Sequence, residues 1–476
     1  MKRNKIILIG TIGIFLFSLP AIVDAVTINA VSCSLSDVQA AINSAQSEDT
    51  VNVPAGECIW SSPLTITKSI ALMGAGIGKT VITRGGGYIW SYYPSNYSLN
   101  APFRLSGFSF DGNGSNIASY LGQLSAPAPP YTLQTKIRID HNRFFNSAGV
   151  GGNAMYYRGG VFGVVDNNVF DNYWYPLRNV DTYYGPGWWD AWETEGFRFV
   201  LGTRYNIYFE DNIFNLGSST YNIVSNSQYS GRYVFRYNTI AQAGEGQTLF
   251  DMHGSQEAGS RMYSSFGGEI YGNLIYNNNY DTNFCGHRGG KMTIFYNVFL
   301  NARSVTTKVW ESDDDAIMPT TSPDPQHPND GYYWRNIKGY TGATSILVVE
   351  NEHIGDIPLV NRDYFTDVAT SYGPAGMSSG TLANRPTSGT YIGQGYWATD
   401  DTLSDLTNYV GKNPKMPISG NLYRWTASGW ESFYAPYTYP HPLRTDCVSY
   451  PTLCDSVSEP PVDTTPPAAP TGVTVQ

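Results

Sequence analysis

Apolar and polar residues alternate with a period of two along much of this chain, and one phrase recurs inside the alternation. Its clearest copy is Ile137-Arg138-Ile139-Asp140-His141-Asn142-Arg143-Phe144: apolar, any, apolar, two of any kind, Asn, any, apolar. Asn168, Asn212, Asn238, Asn273, Asn297 and Asn351 fill the same slot in later copies. Two earlier stretches fit with the Asn replaced: Ile70, Leu72, Ala75, Ile77 and Phe103, Leu105, Phe108, Phe110. A period of two sends successive side chains to opposite faces, so the repeating unit is strand and not helix. The slots lie 26, 44, 26, 35, 24 and 54 residues apart. A base period of about two dozen residues, lengthened by inserts, is the mark of a solenoid. Tight connections rich in Gly and Asn leave no room for helices between strands. Three short strands per turn, wound as a parallel β-helix, satisfy the pattern, and each coil must bury its apolar face by stacking on the next.

The slot falls where the chain bends sharply between two strands. Asn tolerates the left-handed backbone conformation that such a corner needs. Stacked copies let side-chain amides bond to each other up the ladder. The ladder is therefore structural. Before it, Ser36 and Gln39 form a capping box, with Val38, Ala41, Ile42 and Ala45 following at helical spacing. Val51 to Gly56 reads as a strand and turn, and Leu64 to Ile66 and Ile70 to Leu72 as strands. Gly74 to Thr80 is a Gly-rich turn and not a phosphate loop, because three residues separate Gly74 from Gly78 where that loop needs four.

This arrangement resembles the pectate-lyase-like superfamily of right-handed parallel β-helix proteins. The resemblance rests on the Val38 to Ala45 helix, Asp49 to Gly56, Ile70 to Gly74, and the later Asn-x-Phe copies, and covers roughly residues 30 to 360. It implies an all-β right-handed solenoid with an N-terminal cap over about 33–60. It does not imply one activity, since the superfamily includes lyases, hydrolases, esterases, phage tailspikes and passive surface proteins. The Gly-His-Gly motif of its polygalacturonases is altered here to Gly286-His287-Arg288, and no Asp-Asp pair lies in the repeat strands. The Arg and Ca²⁺-binding carboxylate set of its pectate lyases has no counterpart.

The remaining chain modifies this picture at its ends. Residues 1–25 read as a signal peptide: Lys2, Arg3 and Lys5 precede an apolar run broken by Pro20, and small residues follow. No other stretch is apolar enough to cross a bilayer. The β-helix domain spans 26–445, and residues 362–445, rich in Gly, Tyr and Trp, are expected to cap the last coils. Residues 446–476 form a Cys-containing end and a Pro/Thr-rich linker, in which Pro466 to Val475 resembles the opening of a fibronectin type III domain. Five Cys suit an oxidising, extracellular compartment. Cys33 pairs with Cys58 and Cys447 with Cys454, which leaves Cys285 free and buried. No zinc-site spacing occurs.

Removal of three cations and Asp24 takes the formal charge from −10 to −12. That balance argues against a nucleic-acid partner. Charged residues make up 14% of the chain while Tyr numbers 36, a surface suited to sugars as partners.

Candidate chemistry lies where the coils depart from the ladder. With the insert after Gly254 looped out, the strands holding His253 and His287 should stack on adjacent coils. One face would then carry Arg158, Arg204, His253, His287 and Arg288, with Asp251 beside them and Lys291 following. A lyase acting on an acidic polysaccharide needs a base for the C5 proton and cations for the neighbouring carboxylate. His253, His287, Arg288 and Asp251 are the catalytic candidates. Arg158, Arg204, Lys291 and the aromatic insert with Trp188, Trp189 and Trp192 are the substrate-binding ones. A glycoside hydrolase would instead need two carboxylates, such as Asp251 with Glu257, or Asp190 with Glu193 and Glu195. Glu311, Asp313, Asp314 and Asp315 could bind Ca²⁺ through oxygen ligands, without EF-hand spacing. The favoured function is a secreted polysaccharide lyase. The alternatives are a non-catalytic cell-surface or adhesion β-helix and a glycoside hydrolase.

Overall fold

The computed structural model describes residues 25–95, 100–114, 117–121, 134–146, 153–158, 160–171, 175–181, 200–216, 224–227, 231–243, 248–252, 265–277, 279–309, 328–339, 347–351, 358–400 and 418–455. Residues 1–24 of the signal-peptide stretch, the insert from Trp188 to Glu195, His253, Glu257, the Glu311 to Asp315 run and the fibronectin-like tail lie outside them.

The alternating strands build a parallel β-helix. Each coil contributes one strand to each of three sheets, called A, B and C here. Thr50–Val53 joins sheet A, Gly56–Trp60 sheet B and Leu64–Ile66 sheet C, and Ala71–Gly74 returns to sheet A. Sheet A has 12 strands, and B and C have 10 each, with every neighbouring pair parallel among the described residues and the register broken by local bulges, as between Gln134 and Ile137. Inward side chains stack by type from coil to coil. Phe110, Phe144, Phe170 and Phe214 form one file, with ring centroids 5.3, 5.0 and 4.8 Å apart. One continuous buried core, from Ala30 to Tyr364, fills the solenoid.

The corner between sheets A and B carries the Asn ladder. Asn142, Asn168, Asn212, Asn238, Asn273, Asn297 and Asn336 are buried and joined. In each step the amide Nδ2 donates to the next Oδ1, as from Asn212 to Asn238 at 3.0 Å, and the backbone N–H donates to the same oxygen, at 2.9 Å. The ladder corrects two expectations. Its last member is Asn336, not Asn351, which ends a sheet C strand, Leu347–Asn351. The left-handed residue is the one before the slot: His141, Asn167, Asp211, Tyr237, Tyr296 and Arg335 have φ between 50° and 59°, and Gly272 has 66°. Asn is therefore selected for its amide, whose bonds hold the preceding residue in a conformation that it would not otherwise favour.

The N-terminal helix spans Leu35–Ser44, and its cap is Ser34, not Ser36: the Ser34 hydroxyl accepts from Asp37 N at 3.3 Å. Gln39 is freed from a capping box and covers the open edge of sheet C. Its side chain accepts from Thr65 N and donates to Thr65 O, both at 3.3 Å, as a neighbouring strand would. Lys68 Nζ donates to three carbonyls at the helix end, Ile42, Asn43 and Ala45.

The C-terminal segment, a strap, begins against the last strands of sheet A, where the Tyr332 hydroxyl donates to the Gly393 carbonyl at 2.7 Å. It crosses the outer face of sheet A and runs backward along the solenoid. Four strands, Met377–Gly380, Gly395–Ala398, Asn421–Thr426 and Gly429–Tyr434, form a small sheet D. Trp397 of sheet D packs on Phe295 and Trp334 of sheet A, at centroid distances of 5.4 and 5.1 Å. Further along the strap, Tyr437 and Thr438 carbonyls accept from Arg236 at 2.6 and 2.8 Å. Arg444 reaches Glu210 and Asp211, both at 2.7 Å. Leu453 and Cys454 carbonyls accept from Arg138 and Arg104. The strap thus extends past residue 445, and residues 446–455 pack with it. A second apolar cluster, including Tyr208, Tyr271, Phe295, Trp397, Leu443 and Leu453, joins strap to sheet.

Both disulfides form as expected, Cys33–Cys58 and Cys447–Cys454, with Cα separations of 5.8 and 5.1 Å. Cys285 is free and buried. Among the described residues, no helix is long and apolar enough to cross a membrane.

Candidate functional site

The outer faces of sheets A and C carry polar residues for different reasons. On sheet A, the polar residues of the repeated phrase point out and are roofed by the strap. Arg104 holds Asp140 at 2.6 Å, Arg138 holds Asp166 at 2.9 Å, and Arg236 holds Glu210 at 2.6 Å. Burial would raise the Asp140 carboxyl, but Arg138 and Arg104 outweigh it and hold it well below the usual carboxylate range. Glu210 is opposed by burial in the same way, and Arg236 and Arg444 bring it to about 2. Asp140, His141 and Asp455 place ligand atoms within 4.8 Å of one another. Arg104 and Arg138 already neutralise those carboxylates, so the group is an ion-pair network and not a cation site. Removing one partner from such a network would leave a buried charge uncompensated.

On sheet C the outer face carries a different set. Strand Thr248–Met252 pairs with Asp281–His287, which pairs with Ser304–Val309. Phe250 aligns with Cys285 and Thr307, and Met252 with His287 and Val309. Phe250, Met252, Cys285 and Val309 belong to the core, so these files point inward. Asp251, Gly286 and Lys308 alternate with them and share the outer file.

The expected cationic face is therefore divided. Asp251 and Arg288 come together: Arg288 Nη2 donates to Asp251 Oδ1 at 2.6 Å, with side chains 7% and 16% exposed. His287, by contrast, is wholly buried inside the solenoid. Its Nε2 lies 2.8 Å from the Gly290 carbonyl, which can only accept, so the proton sits on Nε2. Nδ1 then accepts from the Tyr333 hydroxyl at 2.6 Å. Both ring nitrogens are committed, and the imidazole ties down the corner where Gly290 turns at φ +70° into sheet A. A Cβ at Gly290 would lie 2.3 Å from the Phe266 carbonyl oxygen.

Arg204 sits in the turn before Ile207–Glu210 of sheet A, exposed, donating to the Tyr205 hydroxyl at 3.0 Å and stacked on that ring. Lys291 is the second residue of the sheet A strand Gly290–Phe295 and donates to Asp330 at 2.7 Å. Arg158 ends a sheet C strand, Asn153–Arg158, on an earlier coil. Lys308 was not singled out from the sequence. Its strand alternates apolar Val305 and Val309 with polar neighbours, but it lies within what reads as one large insert.

No family model matches the chain, and no curated protein matches it. Solved structures do show similarity. The chain is similar to an alginate lyase from Paenibacillus sp. str. FPU-7, at 12% identity and a TM-score of 0.41, covering 66% of this chain and 95% of that one. ORF18 of Geobacillus virus E2 is 14% identical with a TM-score of 0.31, over 72% of this chain and 61% of that one. The PL6 family polysaccharide lyase Pedsa3628 from Pseudopedobacter saltans is 13% identical with a TM-score of 0.27, over 77% and 87%.

Proposed function

We propose that this protein is secreted and cleaves an acidic extracellular polysaccharide by β-elimination on the outer face of sheet C. The observation that carries this reading is the mostly buried Arg288 guanidinium seated on Asp251 of the outward file, the file that Lys308 joins from the following strand. Arg288 supplies a planar guanidinium for a uronate carboxylate, and Asp251 fixes its orientation. Neutralising that carboxylate makes the C5 hydrogen beside it more acidic. A base then removes the C5 proton, the electron pair forms the C4–C5 double bond, and the C4–O bond breaks, with the leaving oxygen taking a proton. His253, which follows Met252 in the chain, is the proposed base. His287 has no part in the step, because its two nitrogens serve the corner. Two disulfides are compatible with an oxidising exterior.

Mass spectrometry of the products from a panel of acidic polysaccharides tests this. Elimination yields oligosaccharides lighter by one water than hydrolysis does. Products of hydrolytic mass would replace the lyase with a glycoside hydrolase. Binding without products would favour a non-catalytic surface protein.

A further inference from the structure

The strap is joined to the solenoid at its far end by a small closed loop. Cys447–Cys454 closes it, and Leu453, Cys454 and Asp455 are the residues that touch the first buried cations of sheet A. Arg138 Nη1 donates to the Leu453 carbonyl, and Arg104 Nη1 donates to the Cys454 carbonyl at 2.9 Å. The Asp455 carboxylate lies 2.7 Å from Arg138 and 3.3 Å from Arg104. Leu453 is fully buried in the apolar layer between strap and sheet. Within the loop, Tyr450 N donates to Asp446 O at 2.9 Å, Leu453 N and Cys454 N to Tyr450 O at 3.0 Å, and Asp455 N to Arg444 O at 3.0 Å.

The two disulfides are placed differently. Cys33–Cys58 joins the N-terminal cap to the first coil, with Cys33 buried and Cys58 half-buried. Cys447 is exposed while Cys454 is buried beside the two guanidinia. A thiolate from solution can therefore reach the Cys447 sulfur. Access of this kind separates labile disulfides from inert ones.

We propose that Cys447–Cys454 is a thiol-sensitive latch: while closed it presents the Leu453 and Cys454 carbonyls and Asp455 to Arg138 and Arg104, and its reduction frees the strap end from the first coils. The reductant is a small dithiol. One thiolate attacks Cys447 Sγ, the sulfur–sulfur bond breaks, and Cys454 leaves as thiolate. The second thiol of the reagent then attacks the mixed disulfide, the reagent cyclises as its own disulfide, and Cys447 is released. Two electrons pass to the protein, and solvent supplies the protons. The inner part of the strap stays seated, because Arg236, Arg444 and Tyr434 hold it through separate contacts.

Hydrogen exchange on the whole chain, before and after dithiothreitol, tests the latch, with alkylation and mass spectrometry to confirm which pair is reduced. Closing a loop of this size restricts the open state by a factor on the order of 10 to 100. The amides of Tyr450, Leu453, Cys454 and Asp455 should exchange faster by that factor after reduction, while those of Gln134–Asp140 in sheet A keep their rates. Reoxidation should restore protection. A Cys447→Ser/Cys454→Ser double variant should show the fast rates with no reductant present. Unchanged rates at 450–455 with the pair reduced would overturn the proposal, as would acceleration spread evenly over sheet A.

Discussion

Glu269 offers the sharpest test of how the strap is held. Its carboxylate is fully buried between sheet A and the strap. One oxygen accepts from Gly202 N at 2.7 Å and the other from the Tyr434 hydroxyl at 2.7 Å. No cation pairs with it directly among the described residues. Burial raises it to about 7, against the lowering by the Gly202 and Tyr434 hydrogen bonds and by Arg236. An unfolded Glu titrates near 4.5. The native state therefore holds a proton that the unfolded state has lost between those two values. A carboxyl raised on folding contributes stability that is fully present below its unfolded pKa and lost as pH rises through its folded one. Across that window the loss amounts to about 3 kcal/mol, at ~1.4 kcal/mol per unit. Glu269→Gln removes the titration and keeps the shape: its amide oxygen can accept from Gly202, and its NH₂ can donate to a rotated Tyr434 hydroxyl. Urea unfolding followed by tryptophan fluorescence from pH 5 to pH 8 measures the difference. The variant should match the parent near pH 5 and exceed it by roughly 1–3 kcal/mol at pH 8. Parallel profiles for the two proteins would refute the assignment of a buried, proton-holding carboxyl.

Three further outcomes are expected. Asn238→Ala removes the acceptor of Asn212 N and Nδ2 and the donor to Phe209 O, all buried. It should lower the unfolding free energy by about 2–4 kcal/mol in urea melts. Arg138→Met leaves Asp140 and Asp166 short of a cation, with a cost of about 3–5 kcal/mol at neutral pH. That deficit should shrink in acid, because Asp140 is held low and gives up its stabilisation as pH falls through its folded pKa. His287→Ala should destabilise the protein by roughly 2 kcal/mol through the orphaned Tyr333 hydroxyl and Gly290 carbonyl. The pH profile of any turnover that remains should not move; a shifted limb would return His287 to the chemistry.

The solenoid was legible because its causes are local and repeated. Alternation places Ile137, Ile139 and Phe144 inward, and the Asn slot recurs wherever a coil corner must satisfy the same buried backbone groups. Both cysteine pairs were legible from proximity along the chain. The strap's course was not, because its partners are remote: Arg104 meets Cys454 across 350 residues, and no period links them. By alternation alone, the polar positions of the repeated phrase, Arg138 and Asp140 above all, would face solvent. They are instead the buried side of an interface whose other half lies at the far end of the chain. Asn336 was missed for Asn351 because its coil reads Tyr332-Tyr333-Trp334-Arg335-Asn336, where three successive aromatic residues hide the alternation. His287 illustrates the limit for sites. Strand parity decides whether a side chain faces the core or the solvent, and one residue separates inward His287 from Arg288, which reaches outward to Asp251.

The central claim is elimination at the sheet C face, and the ultraviolet absorbance of the unsaturated sugar reports it directly. Wild-type protein incubated with an acidic polysaccharide should develop that absorbance. Arg288→Ala, with its fold verified by circular dichroism, should lose about 10²-fold or more in rate, and Arg288→Lys should recover part of it. Full activity in a folded Arg288→Ala protein would contradict the site, and no unsaturated product from the wild type on any acidic polysaccharide would contradict the reaction.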